Sequence, residues 1–204
     1  GTCDMKGFFA FILQACKGLT SEKLKKPLYI LATADEETTM AGARFFTQNK
    51  DIKPDVAIIG EPTNLVPVIM HKGHMSHRIT IQGESGHSSK PNLGVNAIEI
   101  MHQVIGQLMQ LKERLAHNYS NQAFDVKEPT LNLGAIHGGD NANRICGHCV
   151  LDIDMRALPG MADSELIQLL AEALKPLAEK YPSRVSFAEL DPSSPSFEQN
   201  KSSG

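Results

Sequence analysis

The feature that most constrains the fold is the order of strand-like and helix-like segments in the second half of the chain. Residues 75–82 alternate apolar and polar side chains, as a half-exposed strand does, and residues 95–117 follow as a long amphipathic helix. Two strand patterns, a second helix pattern and a last strand pattern come next, over residues 130–137, 144–156, 163–180 and 184–190. The order β-α-β-β-α-β predicts a ferredoxin-like α+β domain, an antiparallel sheet with helices on one face.

The first third of the chain carries a different pattern. Residues 28–34 and 55–60 are uninterrupted apolar runs, and residues 40–50 between them have helical periodicity. Apolar runs of this length are typical of strands buried on both faces. Strand, helix and strand in this order predict a right-handed βαβ crossover, and therefore a parallel sheet in an α/β domain.

These two patterns predict the domain organisation. We expect residues 1–68 to be part of a catalytic α/β domain and residues 69–190 to be a complete inserted domain. Residues 191–204, which begin with Asp-Pro-Ser-Ser-Pro, are expected to lead back to the catalytic domain. Since Gly1 is followed at once by what reads as an interior motif, we expect the chain to be a fragment of a longer protein.

The composition excludes several classes of protein. A net charge of -3 with 41% hydrophobic and 21% charged residues is typical of a globular protein, not of a polybasic nucleic-acid binder or a disordered tail. We find no apolar run that could span a bilayer and no signal peptide, so neither nucleic acid nor membrane is an expected partner. Four cysteines do not make a secreted disulfide framework in a chain of 204 residues, which favours a reducing cytoplasm.

Acidic residues stand at the ends of both apolar runs and before the first helix pattern. Asp35, Glu36 and Glu37 follow the first run, Glu61 follows the second, and Asp4 comes just before a helical segment. The carboxyl ends of parallel strands share one edge of a sheet, where open α/β sheets place their ligands. Acids gathered there repel one another unless a cation joins them, so the pattern predicts a metal site. The alternative for each acid is a helix cap or a turn.

The acids alone are compatible with more than one metal ion. Carboxylate oxygens without other ligands would suit magnesium or calcium, whereas zinc would need imidazole or thiolate in addition. Cys146 and Cys149 have the C-x-x-C spacing of zinc and redox motifs, but strand alternation around them would separate the two thiols, which favours a structural role. His71, His74 and His77 are interpreted as turn and surface residues for the same reason.

Several segments resemble the signature segments of the co-catalytic metallopeptidase family that includes aminoacylases, carboxypeptidase G and succinyl-diaminopimelate desuccinylase. The segments that carry the family resemblance are residues 1–7, 34–37 and 60–63. A second set is most similar to the family members that act on N-acetyl-L-ornithine, and consists of residues 71–74, 85–89, 94–99, 130–134 and 143–146. The motifs occur in order over nearly the whole chain.

The resemblance implies a role for each carboxylate. Asp4 would bridge two divalent ions, zinc or cobalt, while Glu37 and Glu61 would each bind one of them. Glu36 would be the general base that takes a proton from the attacking water. The family also uses two histidine ligands, and none of the eight histidines of this chain lies in a matching motif.

The resemblance also implies roles in the inserted domain, which would be a lid and dimerisation domain. His87 would reach into the active site of the partner subunit of a homodimer and stabilise the developing oxyanion. Asn143 and Arg156 would contact the substrate, and the planar arginine fork suits a carboxylate. Without the resemblance, the three residues would be interpreted as a surface histidine, a strand-edge residue and a member of a surface ion pair.

The expected function is hydrolysis of a linear amide by a metal-dependent enzyme. The substrate implied by the resemblance is N-acetyl-L-ornithine, cleaved to ornithine and acetate in arginine biosynthesis. One alternative is a desuccinylase or aminoacylase of the same family, which would share the metal site. The other is a non-catalytic dimerisation module, because the chain lacks histidine ligands and by itself is expected to bind metal weakly and to be inactive.

Overall fold

The computed structural model describes residues 2–37, 39–49 and 52–199. The chain divides into two compact units, Gly1–Val68 and Ile69–Gly204. Two parts of the predicted segments lie outside the described residues. They are Lys50, at the end of the helix predicted over residues 40–50, and residues 200–204, at the end of the predicted linker.

The second unit is built from one sheet, two long helices and a short ribbon. Within the described residues its elements, in chain order, are β1 (Met70–His71), β2 (His74–Gln82), α3 (Ala97–Asn118), β3 (Thr130–Gly138), β4 (His148–Arg156), α4 (Asp163–Lys180), β5 (Val185–Ser194) and β6 (Phe197–Glu198). The neighbouring strands of the sheet are antiparallel, in the order β3-β4-β2-β5. This order, with the βαββαβ sequence of elements, confirms the predicted ferredoxin-like fold.

Burial alternates along the central strands, which shows the face on which the helices pack. The buried residues of β2 are Met75, His77, Ile79 and Ile81, and those of β4 are Cys149, Leu151, Ile153 and Met155. They share a core with the apolar stripes of α3 and α4, including Val104, Leu108, Leu111, Leu166 and Leu170. Each fully buried aliphatic side chain contributes about 1.5–3 kcal/mol. No helix within the described residues is long and apolar enough to cross a membrane.

His77 is buried, so its interpretation as a surface residue was wrong. Only 4% of its surface is exposed, and its ring lies 6.0 Å from that of Phe187 in β5. Burial lowers the pKa of His77, and the charge of Glu189 on the facing strand opposes that shift. The reason is strand parity: His77 has the same parity as Met75 and Ile79, and side chains two apart share one face.

The strand predicted around the C-x-x-C segment was too long, although the structural role predicted for its two cysteines agrees with their burial. The strand β4 begins at His148, so alternation does not extend back to Cys146. Cys146 and Cys149 are both buried, with 4% and 1% of their surfaces exposed, and both belong to the hydrophobic core. Burial raises the pKa of the Cys149 thiol, which keeps it in the unreactive protonated form.

The predicted linker begins inside a strand. β5 continues to Ser194, and Asp191 faces Ser76 of β2. Pro192 is tolerated because β5 is an edge strand, where a missing N–H group breaks no ladder bond. Beyond it, β6 pairs antiparallel with β1, so residues 191–199 largely complete the second unit.

The first unit contains α1 (Phe8–Cys16) and α2 (Ala41–Asn49). They confirm the helical segment predicted after Asp4 and the helix predicted over residues 40–50. The predicted strands are not formed: residues 28–34 and 55–60 are extended but belong to no strand within the described residues. A strand of a parallel sheet needs neighbours and covering helices on both faces. Neither helix contributes a buried residue here, and the apolar side chains stay exposed, as Ile58 does with 82% of its surface.

Candidate functional site

The predicted metal-site carboxylates lie close enough together to affect one another. Burial raises the pKa of Glu61, and the negative charges of Asp4, Glu36 and Glu37 raise it further. Neighbouring negative charges disfavour the ionised form of a carboxyl group, which is the direction of the shift at Glu61. Three of the acids that the sequence singled out for metal binding and proton transfer therefore act electrostatically on the fourth, Glu61.

Two glycines allow the segments that carry these acids to approach closely. A Cβ atom on Gly60 would lie 2.1 Å from the ring of Phe8, so only glycine lets α1 pack next to Glu61. A Cβ atom on Gly42 would lie 2.6 Å from the backbone nitrogen of Ala34, so glycine lets α2 begin against the end of the first apolar run. These contacts hold the starts of both helices next to the acidic residues.

Asp35 has a structural use that sets it apart from its acidic neighbours. The hydroxyl of Thr39 donates a hydrogen bond to the Asp35 carboxylate, and the N–H of Met40 donates to its carbonyl at 2.7 Å. Its φ of 61° places Asp35 in the left-handed region, where aspartate is tolerated better than most residues. The turn-forming alternative thus holds for Asp35, and the turn presents the exposed side chains of Glu36 and Glu37.

An ion pair joins the starts of the two apolar runs. Lys26, just before the first run, forms an ion pair of 2.9 Å with Asp55, which starts the second. At the other ends, Glu36 and Glu37 act electrostatically on Glu61. The starts of the two runs are therefore joined by a side-chain contact, although the runs form no strand pair within the described residues.

Metal-binding geometry is not complete in this unit. Over residues 2–37, 39–49 and 52–199, no three Asp, Glu, His or Cys side chains are arranged to hold a metal ion. The donor chemistry fits a divalent cation, because Asp4, Glu37 and Glu61 supply anionic oxygen ligands whose mutual repulsion a cation would relieve. A nitrogen or sulfur ligand, which zinc favours, is not among them.

In the second unit, His87 and Asn143 are brought together by two hydrogen-bonded loops. The N–H of Ser88 donates to the carbonyl of Asn143 at 3.0 Å, and the N–H of Ile145 donates to the carbonyl of Gly86 at 2.8 Å. An isolated β-bridge joins His87 to Arg144 between these bonds. Two exposed side chains predicted to contact the substrate thus share one short ribbon.

The neighbours of His87 fix which ring nitrogen carries the proton. The backbone N–H of Ser89 donates to Nδ1 of His87 at 3.2 Å, and the Ser89 hydroxyl lies 2.8 Å from the same atom. Because Nδ1 accepts a hydrogen bond, the neutral ring carries its proton on Nε2. The exposed side of the ring therefore presents an N–H donor, which is the group that an oxyanion requires.

Arg156 lies at the end of β4, on the sheet face that the helices leave uncovered. Its Nε donates to Oδ1 of Asp154 at 2.9 Å, and Nε2 of His74 lies 2.9 Å from the second oxygen of the same carboxylate. Asn143 comes before β4 and Arg156 is its last residue, so twelve residues separate them, eight of which belong to β4. At about 3.3 Å per residue, the nine-residue strand alone is roughly 30 Å long.

Sequence reasoning missed the polar array on this face. Arg78 of β2 binds Asp152 of β4 through two hydrogen bonds of 2.7 and 2.8 Å, and this pairing lowers the pKa of Asp152. His74 was read as a surface residue, and Asp154 was not singled out. The sequence does contain a signal for this array. Oppositely charged residues occur at alternate positions of two strands, and these positions face each other once the strands pair antiparallel.

Comparison with known proteins gives high similarity along most of the chain. The chain is 60% identical over 198 residues to the acetylornithine deacetylase of Klebsiella pneumoniae strain 342, which covers 97% of this chain and 52% of that protein. It is 58% identical to the acetylornithine deacetylase of Pectobacterium carotovorum strain PC1, with the same coverage. The chain thus spans about half the length of the curated relatives it matches.

Solved structures share the fold at much lower identity. One described as an aminohydrolase of methicillin-resistant Staphylococcus aureus has a TM-score of 0.54 and 18% identity, over 64% of this chain and 32% of that one. A hydantoinase/carbamoylase family amidase of Burkholderia ambifaria has a TM-score of 0.52 and 14% identity, over 66% and 31%.

A match to a known domain defines the family. The peptidase dimerisation domain of the M20 family matches residues 69–182, which is more than half of the chain and contains β2 to α4. This match and the two relatives confirm the family resemblance that the motifs indicated. The chain therefore belongs to the M20 peptidase family and carries its dimerisation domain.

Proposed function

We propose that the protein that carries this chain is a metal-dependent amidohydrolase that cleaves N-acetyl-L-ornithine to ornithine and acetate. The observation that carries the proposal is the electrostatic effect of Asp4, Glu36 and Glu37 on Glu61, in a chain that is 60% identical to an acetylornithine deacetylase. The reaction would belong to arginine biosynthesis in the cytoplasm. We assign the activity to the whole protein, because the chain matches about half of its relatives' length.

Asp4, Glu37 and Glu61 are proposed to hold two divalent ions, zinc or cobalt, with Asp4 between them. Burial is the main cause that raises the pKa of Glu61, and the charges of Asp4, Glu36 and Glu37 raise it further; a cation would relieve this second cause, which supports the assignment. When bound, such ions would polarise the amide carbonyl and lower the pKa of a water molecule. The imidazole ligands that would complete the site have no match in this sequence.

Glu36 is proposed to be the general base. It is adjacent to Glu37 in an exposed turn, and its carboxylate is not one of those assigned to metal. A carboxylate in this place can accept a proton from water and return it to the leaving amine, so that the amine departs neutral. Its nearness to Glu61 supports a shared site.

The active site is proposed to be shared between two copies of the chain. His87 and Asn143 lie at one end of the lid sheet and Arg156 at the other, so the side chains of one copy could not reach one small substrate. A homodimer removes this difficulty, because His87 and Asn143 of one copy can complete the site to which the other copy contributes Arg156. His87 would then donate from Nε2 to the oxyanion while Arg156 binds the substrate carboxylate.

Two alternatives differ in what they predict. A desuccinylase or aminoacylase would keep the same acids and differ only in the acyl and amine groups that it accepts. A non-catalytic dimerisation module is favoured by a complete ferredoxin-like domain beside an incomplete metal site. The co-location of Glu36 with the other acids argues against the module, since a protein that only dimerises has no use for a base there.

Steady-state hydrolysis separates these alternatives. N-acetyl-L-ornithine and N-succinyl-diaminopimelate would be compared as substrates, with zinc or cobalt present and again after chelation. We expect preferential, chelator-sensitive release of acetate. Preference for the succinyl substrate would indicate the desuccinylase, and no turnover of either substrate with metal bound would refute the proposed reaction.

A further inference from the structure

Three polar side chains form a row of contacts that starts at the guanidinium of Arg156. Asp154 accepts from Nε of Arg156 at 2.9 Å through Oδ1, and its Oδ2 lies 2.9 Å from Nε2 of His74. Ser76 lies directly across from Asp154 in β2, and its hydroxyl is 3.2 Å from the same His74 nitrogen. The Asp154 side chain is 28% exposed and that of Arg156 is 46% exposed, so the arginine is the more accessible of the two to solvent.

The contact through Nε leaves the other edge of the guanidinium available. Within the described residues, the hydrogen bonds of Arg156 to protein use Nε alone. The two terminal NH₂ groups present a planar pair of donors that matches the two oxygens of a carboxylate. A guanidinium that is held by one edge loses less conformational freedom when a ligand binds the other edge.

His74 determines how Asp154 can pair with the arginine. A carboxylate with both oxygens free would tend to pair with the terminal NH₂ groups of Arg156 in a two-point contact and would then compete with a ligand. The His74 ring lies 2.9 Å from Oδ2 through Nε2, so that this oxygen faces the imidazole while Oδ1 accepts from Nε of Arg156. The β-bulge between His74 and Ser76 shifts the start of β2 relative to β5, next to the turn in which Gly73 donates to the carbonyl of Ala157 at 2.9 Å.

We propose that Asp154 and His74 are positioning residues that hold Arg156 by Nε, so that its terminal NH₂ groups receive the α-carboxylate of the substrate. The inference rests on the proposed function, in which Arg156 binds that carboxylate. Neither residue touches the substrate. Their effect is on how tightly a carboxylate-bearing substrate binds, not on the hydrolytic step.

The test compares variants on two substrates that differ only at the carboxylate. Asp154→Ala and His74→Ala remove the two contacts, and Asp154→Asn keeps an acceptor oxygen for Nε. With N-acetyl-L-ornithine, Asp154→Ala should raise KM about ten- to hundredfold, as expected for the loss of a hydrogen bond to a charged group, with kcat within about threefold. Asp154→Asn should recover most of the loss, and His74→Ala should raise KM by a smaller factor.

The control substrate and control variant show whether the effect is specific. With the α-carboxamide of N-acetyl-L-ornithine, KM should be the same for Asp154→Ala and the wild type, because no carboxylate is left to bind. Asp152→Ala removes the neighbouring partner of Arg78 and should leave KM for both substrates unchanged. Equal losses on both substrates, or an unchanged KM in Asp154→Ala, would overturn the inference.

A second readout does not depend on turnover. In ¹⁵N NMR spectra of the protein, the Nε–H signal of Arg156, assigned by its loss in Arg156→Lys, should exchange slowly with water and should broaden or disappear in Asp154→Ala. If the wild type hydrolyses neither substrate, the proposed function fails, and this signal still decides the inference. Fast exchange of the Arg156 Nε–H in the wild type would overturn it.

Discussion

At the scale of single residues, the acids of the first unit differ in the use that the structure makes of them. Asp35 is engaged in the turn before α2, where Thr39 and Met40 bond to it. Glu61 is affected by the other acids, because burial and the negative charges of three of them raise its pKa. Glu36 and Glu37 adjoin each other in sequence and are exposed, so their proposed roles as base and ligand must be distinguished by substitution.

Glu36→Gln is predicted to separate proton transfer from metal binding. Because the amide cannot accept a proton from water, kcat should fall by roughly two to four orders of magnitude. Metal content, measured by atomic absorption after dialysis, should stay close to that of the wild type. Glu22→Gln, a change at an exposed turn residue, is the matched control and should alter neither quantity. Loss of metal from Glu36→Gln would instead make Glu36 a ligand.

At the scale of elements, local patterns predicted some parts of the fold far better than others. The lid helices and strands have strong periods of their own, and α4 begins and ends where the pattern predicted, at Asp163 and Lys180. Strands of a parallel sheet depend on partners distant in sequence, and the runs at residues 28–34 and 55–60 did not pair. The burial of His77 could have been predicted from its parity with Ile79, since the period of a strand is two.

The candidate site also has a part that local sequence patterns predict and a part that depends on long-range strand pairing. The electrostatic effect of Glu36 and Glu37 on Glu61 was predictable because both apolar runs end in carboxylates, and that is a local signal. The contact of Asp154 with both Arg156 and His74 was not predictable without the β2–β4 register, which is a long-range property. Ion pairs across a sheet can be inferred only after the strand order is known.

Gly60→Ala is predicted to disturb the acidic cluster through packing. The added Cβ would lie 2.1 Å from the ring of Phe8, so α1 must move away from the segment that carries Glu61. Overpacking of this kind costs about 1–3 kcal/mol, and the free energy of unfolding in urea should fall by that amount. Gly106→Ala is the control, because no atom lies within 4 Å of its added Cβ in α3, and it should stabilise by about 0.5–1 kcal/mol. Equal effects of the two changes would contradict the packing of Phe8 on Gly60.

The buried His77 predicts a dependence of lid stability on pH. Burial lowers its pKa in the folded protein below the ordinary value of 6.5, and within the described residues its Nδ1 has no hydrogen-bond partner. As the pH falls below about 6.5, the unfolded chain binds a proton that the folded chain does not, so the free energy of unfolding should decrease until the lowered pKa is reached. Above that range the stability is fully present.

Urea denaturation of His77→Leu between about pH 5 and 8 tests this dependence, since linkage assigns the slope to the lost titration. The variant should lose part of the slope that the wild type shows below neutral pH. His102→Gln, at an exposed position of α3, should keep that slope. A wild-type slope that persists undiminished in His77→Leu would show that His77 does not titrate differently in the two states.

At the scale of the whole molecule, the lid positions its candidate substrate contacts at opposite ends of one sheet. The loop ribbon with His87 and Asn143 lies before β4, and Arg156 ends that strand. The M20 dimerisation domain matches residues 69–182, which include all three residues. The proposed site assembled from two copies would give both ends of the sheet a use, and it would make dimerisation a requirement for activity.

Subunit complementation tests this account most directly. His87→Ala and Glu36→Gln each inactivate every site of their own homodimer, but a mixed dimer would hold one site with an intact Glu36 and an intact partner His87. After the two variants are unfolded together and refolded, half of the dimers are mixed and each has one intact site, so we predict about a quarter of wild-type acetate release. Activity no higher than the average of the two parent variants would contradict a site shared between two copies.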